Sequence, residues 1–223
     1  MERRLAFVLA AAAVVVGCSA PPAQQTAPAD ATPSPAAVEA PARTASSAWC
    51  PIDNARVHVV ADAARRDQPP SVPPPNTAFL VVTLDGQVSY FPPTGIVGGL
   101  IPSGNGGYVV RIELKDVQVP PIPNPTSYPL AFPRPNVKRV LENDRVIVWD
   151  YTWTSGVPTP MHFHDKDVVV IYLEDGALRS TDPKGASVVN PHYFGFTKWN
   201  ARDRVHTEEL IEGKGRAIIT ELK

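Results

Sequence analysis

Seven prolines crowd the sixteen residues from Pro120 to Pro135. Each one removes a backbone donor that a sheet ladder needs, so this stretch cannot be a central strand. It reads as an extended crossing over a domain surface, and the chain on both sides of it reads as strands. Ala78–Leu84 and Gln87–Phe91 flank Asp85-Gly86, a hairpin turn signal. Tyr108–Leu114 alternates in the β manner, and Arg145–Trp153, Asp167–Leu173, Ser187–Val189, Tyr193–Trp199, His206–Ile211 and Arg216–Leu222 continue the pattern. Helical periodicity is confined to Asp62–Arg66 and Val137–Leu141. The expected fold is all-β, a barrel or jelly roll.

The start of the chain is different in kind. Met1-Glu-Arg3-Arg4 precedes the apolar run Leu5–Val16, which is too short for a stable membrane anchor and reads as a secretory signal over residues 1–17. Val15-Val16-Gly17-Cys18 resembles a bacterial lipoprotein processing site, and Pro21 and Pro22 disfavour ordinary cleavage after Ala20. That resemblance implies lipidation at Cys18. With Ser19 following, it implies a place on the periplasmic face of the outer membrane in a Gram-negative cell, or otherwise on the extracellular membrane surface. Residues 18–48 are rich in Ala, Pro, Thr, Ser and Gln and lack apolar periodicity, the composition of a flexible tether.

Once residues 1–17 are removed, 19 basic residues stand against 21 acidic ones, a net charge of −2. No basic field for nucleic acid exists. The expected partners are a small-molecule ligand or substrate, the membrane through the lipid anchor, and a second copy through sheet edges. If Cys18 carries lipid, Cys50 has no disulfide partner, and Trp49-Cys50-Pro51 is read as a half-buried thiol near a domain edge. The glycines between Thr94 and Gly107 lack the Lys-Ser/Thr ending and following helix of a phosphate loop, and read as a loop between strands.

The chemistry concentrates in three of the five histidines. His162 and His164 stand one residue apart, so a strand aims both imidazoles to the same side, and His206 follows 42 positions after His164. Such a trio suits one divalent transition metal ion, with Fe, Mn, Ni, Zn and Cu all admissible. His192 is read as a loop residue and His58, in Arg56–Val60, as an edge-strand residue without a chemical role.

The spacing resembles the two motifs of the cupin superfamily. Gly156, His162, His164 and Gly176 fall in the register of the first motif, and Gly195 and His206 in that of the second. Ala201 and Asp203 stand where the second motif has Pro and Gly, and Leu210 where it ends in Asn. The resemblance implies a cupin-like metal-binding barrel over 138–223, in which His162, His164 and His206 are the metal ligands. The first-motif glutamate should fall at 168 or 169, and both are valine. Asp167, one residue early, faces away on a regular strand and reaches the trio only through a bulge. Residues 49–137 then form an N-terminal β region, a degenerate second barrel or a set of extra strands covering the sheet.

Around the trio, Trp149, Tyr151 and Trp153 alternate onto one face, as core or as a stacking surface for a ligand. Arg202 and Arg204 either hold a carboxylate substrate or pair with Glu208 and Glu209. Alternation puts Glu208 on the histidine face, which makes it, with Asp167, an acid/base candidate. Three functions remain open: a metal-dependent oxygenase of a small polar molecule, a metal-dependent isomerase or hydrolase, and a non-catalytic binding or structural module.

Overall fold

A computed structural model describes residues 52–63, 73–93 and 108–223. The signal and tether readings, Cys18, Cys50, the helical reading of 64–66 and the glycine loop at 94–107 lie outside the described residues.

Fourteen strands and no helix make up the described chain, as the alternation predicts. They are β1 (Ile52–Asp53), β2 (Val57–Ala63), β3 (Ala78–Thr83), β4 (Val88–Phe91), β5 (Tyr108–Leu114), β6 (Val137–Glu142), β7 (Val146–Trp153), β8 (His162–His164), β9 (Val168–Tyr172), β10 (Gly176–Thr181), β11 (Ser187–His192), β12 (Thr197–Asn200), β13 (Arg204–Gly213) and β14 (Gly215–Leu222). The two helical expectations fail where they can be seen. Asp62 and Ala63 end β2, paired with Val109 and Tyr108, and Val137–Glu142 is β6, paired with β7. Both segments are shorter than a helix needs to be stable alone, and neighbouring strands offer ladder partners instead. His58 is not on an edge, because β2 lies between β1 and β5, and its Nδ1 is 3.0 Å from Glu113 Oε2.

Three antiparallel sheets result, ordered β1-β2-β5-β3-β4, β12-β9-β14-β7-β6 and β11-β10-β13-β8. The second is the middle layer, and its strict alternation shows why. Val146, Val148, Val169, Ile171, Ile218 and Leu222 pack on one face against Val57, Val59, Leu80, Val82, Val110 and Ile112 of the N-terminal sheet. Trp149, Tyr151, Trp153, Val168, Val170, Ala217 and Ile219 face the other way, toward Leu178 and Leu210 of the four-stranded sheet. A strand buried on both faces reads as a continuous apolar run, as Val168–Tyr172 does. The last two sheets enclose the jelly-roll interior that holds the histidines.

The proline crossing is edge cover for that interior. Phe163 donates its amide to Pro129 O at 2.8 Å, Ala131 donates to Phe163 O at 2.8 Å, and Ile122 donates to Asp165 O at 3.0 Å. The crossing thus completes the free side of β8, the last strand of its sheet, without needing its proline nitrogens as donors. Two glycine positions of the motif register are explained by backbone geometry. A Cβ at Gly176 would lie 2.5 Å from Lys214 O, and Asp203, standing where the motif has glycine, adopts φ 64, a left-handed conformation that Asp tolerates better than most residues.

Candidate metal centre

β8 and β13 pair antiparallel with His206 opposite His162 and Arg204 opposite His164. Register alone therefore brings together residues 42 positions apart. The side chains of His162 and His164 leave β8 on one face, and all three histidines are buried. Their Nε2 atoms converge: His162 to His164 is 3.2 Å and His164 to His206 is 3.0 Å. Among the described residues these three are the one group whose ligand atoms all lie within 4.8 Å of one another.

The spacing fits a metal ion. Three imidazole nitrogens about 2.0–2.1 Å from a common centre are separated by about 2.8–3.4 Å when the angles between them run from octahedral to tetrahedral. The tautomers fit as well. His162 Nδ1 lies 2.7 Å from Pro160 O, a pure acceptor, so its proton sits on Nδ1 and its Nε2 lone pair faces inward. His206 Nδ1 lies 3.0 Å from Ser180 Oγ. With the His162 proton on Nδ1, a single proton in line can bridge only one of the two close Nε2 pairs in the neutral trio, and the other is left without a hydrogen bond. A cation at the centre would satisfy all three nitrogens at once. His164 Nδ1 is buried without a hydrogen-bond partner among the described residues.

Burial favours neutral rings. It lowers His162 to about 4, helped by the Arg134 charge, pushes His164 well below the ordinary histidine value, and lowers His206. Neutral imidazole is the form that ligates metal.

Two charged side chains flank the trio. Glu208, on β13 two residues after His206, brings Oε1 to 3.9 Å from His206 Nε2. Its Oε2 accepts from Arg134 Nη2 and from Trp153 Nε1, each at 3.3 Å. Burial pushes the Glu208 carboxyl up, but His206, Arg134, His162 and Arg204 outweigh it and hold it at about 2. Arg134 was not singled out in the sequence, since it arrives from the proline crossing with no motif around it. Its guanidinium lies 4.1 Å from the Tyr151 ring centre and 4.7 Å from that of Phe132. Nη1 is 3.1 Å from His162 Nε2 and 3.5 Å from Nδ1. Near-equal distances place it beside the ring rather than along the Nε2 lone pair, so the centre of the trio stays open.

The remaining candidates lie elsewhere. Asp167 does not serve the trio: Oδ2 takes Arg56 Nη1 at 2.7 Å and Oδ1 takes the Arg202 amide at 2.9 Å. No bulge turns it inward, because it precedes β9 and pins β2's approach to the barrel instead. His192 stacks on Tyr172 at 4.2 Å and its Nε2 lies 3.2 Å from Lys214 O. Trp149, Tyr151 and Trp153 share a buried wall, with Trp149 stacked on Phe132 at 5.3 Å and Tyr151 edge-on to Trp153 at 4.7 Å. Arg202 donates to Pro120 O at 2.7 Å. Glu209 pairs with Arg179 and Glu208 with Arg134, so neither glutamate takes Arg202 or Arg204 as its ion-pair partner. A cavity of about 490 Å³ opens beside His206 and Glu208, lined also by Tyr172, Lys198, Asn200 and Arg204.

No family model and no curated protein matches the sequence. Its structural neighbours include cupin domains. A cupin domain from Bordetella pertussis is 23% identical with a TM-score of 0.36, over 44% of this chain and 98% of that one. An RmlC-like cupin family protein with a double-stranded β-helix fold from Methanocaldococcus jannaschii is 14% identical with a TM-score of 0.33, over 39% and 77%. The polyketide cyclase RemF from Streptomyces resistomycificus is 15% identical with a TM-score of 0.33, over 42% and 71%.

Proposed function

We propose that His162, His164 and His206 hold one divalent transition metal ion, and that the barrel is a metal-dependent enzyme acting on a small polar molecule. The observation that carries this reading is the convergence of three buried Nε2 atoms at 3.0–3.2 Å, with the proton of His162 held on the far ring nitrogen. When bound, such an ion supplies Lewis acidity and, if redox-active, electron transfer to dioxygen, which makes an oxygenase the leading reaction class.

The chain's own residues do the rest. Pro160 O and Ser180 Oγ orient His162 and His206. Glu208 keeps a carboxylate beside the trio, and Arg134 fixes that carboxylate while its own charge is spread over Tyr151 and Phe132. The wall formed by Trp149, Tyr151 and Trp153 keeps water from the back of the site. Access is from the side of His206 and Glu208, where the cavity lies.

Elemental analysis of the full chain beside a His162→Ala/His164→Ala variant tests the reading. One equivalent of iron, manganese, nickel or copper, lost in the variant while circular dichroism is unchanged, supports it and directs oxygen-consumption assays. Zinc in that place redirects it to isomerase or hydrolase chemistry. A wild-type chain that takes up no metal even on reconstitution leaves a binding or structural barrel.

We further propose that the protein is a cell-envelope lipoprotein, on the strength of Val15-Val16-Gly17-Cys18 and the tether that follows. Metabolic labelling with a fatty acid should mark the wild type and not Cys18→Ala. Equal labelling of both would sink the anchor.

A further inference from the structure

The cavity of about 490 Å³ beside the trio is lined by residues of five strands, and its two acids and two bases are not ion-paired with one another. Four lining residues other than histidine carry charge: Asp182, Lys198, Arg204 and Glu208. The two acids are committed. Asp182 Oδ1 accepts the amides of Lys184 and Ala186 at 2.8 and 3.0 Å, which closes the turn between β10 and β11. Glu208 Oε2 is held by Arg134 and Trp153.

The two bases have no carboxylate at ion-pair distance among the described residues. Lys198 Nζ donates to Asn190 Oδ1 at 2.9 Å, a neutral acceptor. Arg204 spends only Nε, which donates to Ala201 O at 2.6 Å. Its Nη1 and Nη2 have no carboxylate partner among the described residues, although Arg204 stands on the same inward row of β13 as His206 and Glu208. Glu208 attracts both cations through space and Asp167 attracts Arg204. Glu208 is already held by Arg134 and Asp167 by Arg56, so an anion entering the cavity supplies charge at hydrogen-bond distance that the lining lacks.

We infer that this cavity takes a small organic carboxylate, gripped at one end by Arg204 and Lys198 and extending toward His206. The inference names the substrate class for the metal-dependent reading above and rests on that reading for its catalytic meaning. A guanidinium with Nε already engaged presents its Nη pair end-on, the geometry that a planar carboxylate matches with two parallel hydrogen bonds. Lys198 adds a point charge from β12, a strand of the other sheet. Asn190, Asn200, Ser180 and the edge of Tyr172 supply polar contacts along the rest of the cavity, and its volume suits a molecule of metabolite size.

The test is calorimetric titration of the full chain, metal-loaded and after chelation, with acetate, malonate, succinate and benzoate, with the corresponding amides, and with inorganic phosphate. Metal content is measured on every sample. At least one acid should bind saturably while its amide does not. Arg204→Gln and Lys198→Met should each weaken it by about tenfold or more, with metal content unchanged. The two variants lie on different strands, so a folding defect in one leaves the other as the readout. The carboxylate inference is overturned if no acid binds, if amides bind as well as acids, if neither variant changes affinity, or if phosphate binds at the same residues more tightly than any acid. Metal at one equivalent with no acid bound defeats this inference alone. Acid bound through Arg204 in a chain that never takes up metal supports this inference and defeats the metal reading alone.

Discussion

Arg134 reaches Glu208 and His162 with one guanidinium: Nη2 donates to Glu208 Oε2 at 3.3 Å while Nη1 rests 3.1 Å from His162 Nε2. Only 6% and 18% of the two charged side chains are exposed, so water screens the pair weakly. A metal ion in the trio would be repelled by Arg134 and attracted by Glu208. The two substitutions should therefore move metal affinity in opposite directions. Arg134→Gln should tighten divalent metal binding and Glu208→Gln should weaken it, each by about tenfold or more. Competitive titration against a chromogenic chelator measures both. Shifts of the same sign would show that the ion does not sit between these charges.

Ser180 on β10 contacts the far side of His206 at 3.0 Å and makes no other contribution to the trio. Removing its hydroxyl frees the imidazole to rotate and to change tautomer. Ser180→Ala should cost about 10- to 100-fold in metal affinity, the range seen for partners that orient a ligating histidine, with little change in melting temperature in the metal-free protein. Unaltered affinity would mean that the pairing with His162 orients His206 by itself.

Much of the barrel was legible because its strands obey a two-residue period. β5 spans Tyr108–Leu114 as the alternation predicts, and β7 and β14 differ from expectation by one residue each. The trio was legible because His-x-His on a strand needs no tertiary information to share a face. Arg134 was not, because a lone arginine among prolines carries no period, and only the ladder between the crossing and Phe163 delivers it to the site. β10 was missed for a related reason: Gly176-Ala-Leu-Arg-Ser-Thr181 has a single large apolar residue, and its place between β11 and β13 is set by its partners. Val137–Leu141 has helical periodicity over one turn and is part of a strand because β7 offers it a ladder.

The N-terminal sheet should unfold together with the barrel. Ile112 of β5 is fully buried and belongs to the same apolar cluster as Val148, Ile171 and Ile218 of the middle sheet. Ile112→Ala removes core volume from the contact between layers and should cost about 2–5 kcal/mol. In a Trp199→Phe background, since Trp199 packs on the contact between the layers, tryptophan fluorescence and far-ultraviolet circular dichroism should report one coincident, earlier denaturant transition, because Trp149 and Trp153 lie on the far face of the middle sheet. Two separated transitions, with the tryptophan signal unmoved, would show that the N-terminal sheet folds independently.

Glu221 is the buried acid whose charge the fold tolerates least. It lies on the barrel face of β14 and accepts Trp149 Nε1 at 2.8 Å. Burial raises its carboxyl above the ordinary value, Lys166, the Trp149 bond and Arg134 oppose the shift, and Asp165 adds to it. The folded state therefore holds this proton more tightly than the unfolded chain does. The group's contribution to stability is complete below the ordinary glutamate value of 4.5 and is lost as pH rises through the higher folded value. At neutral pH the fold carries a buried carboxylate that glutamine would replace without charge, with a carbonyl oxygen still able to accept the indole proton. Glu221→Gln should raise the melting temperature at pH 7, by about 2–4 °C for each kcal/mol gained, and the gain should shrink as pH is lowered through the raised folded value and be gone by 4.5. A melting temperature that falls at pH 7 would show that the Glu221 charge is balanced by Lys166 and Arg134 in the folded state, and a gain independent of pH would show that it does not come from the charge.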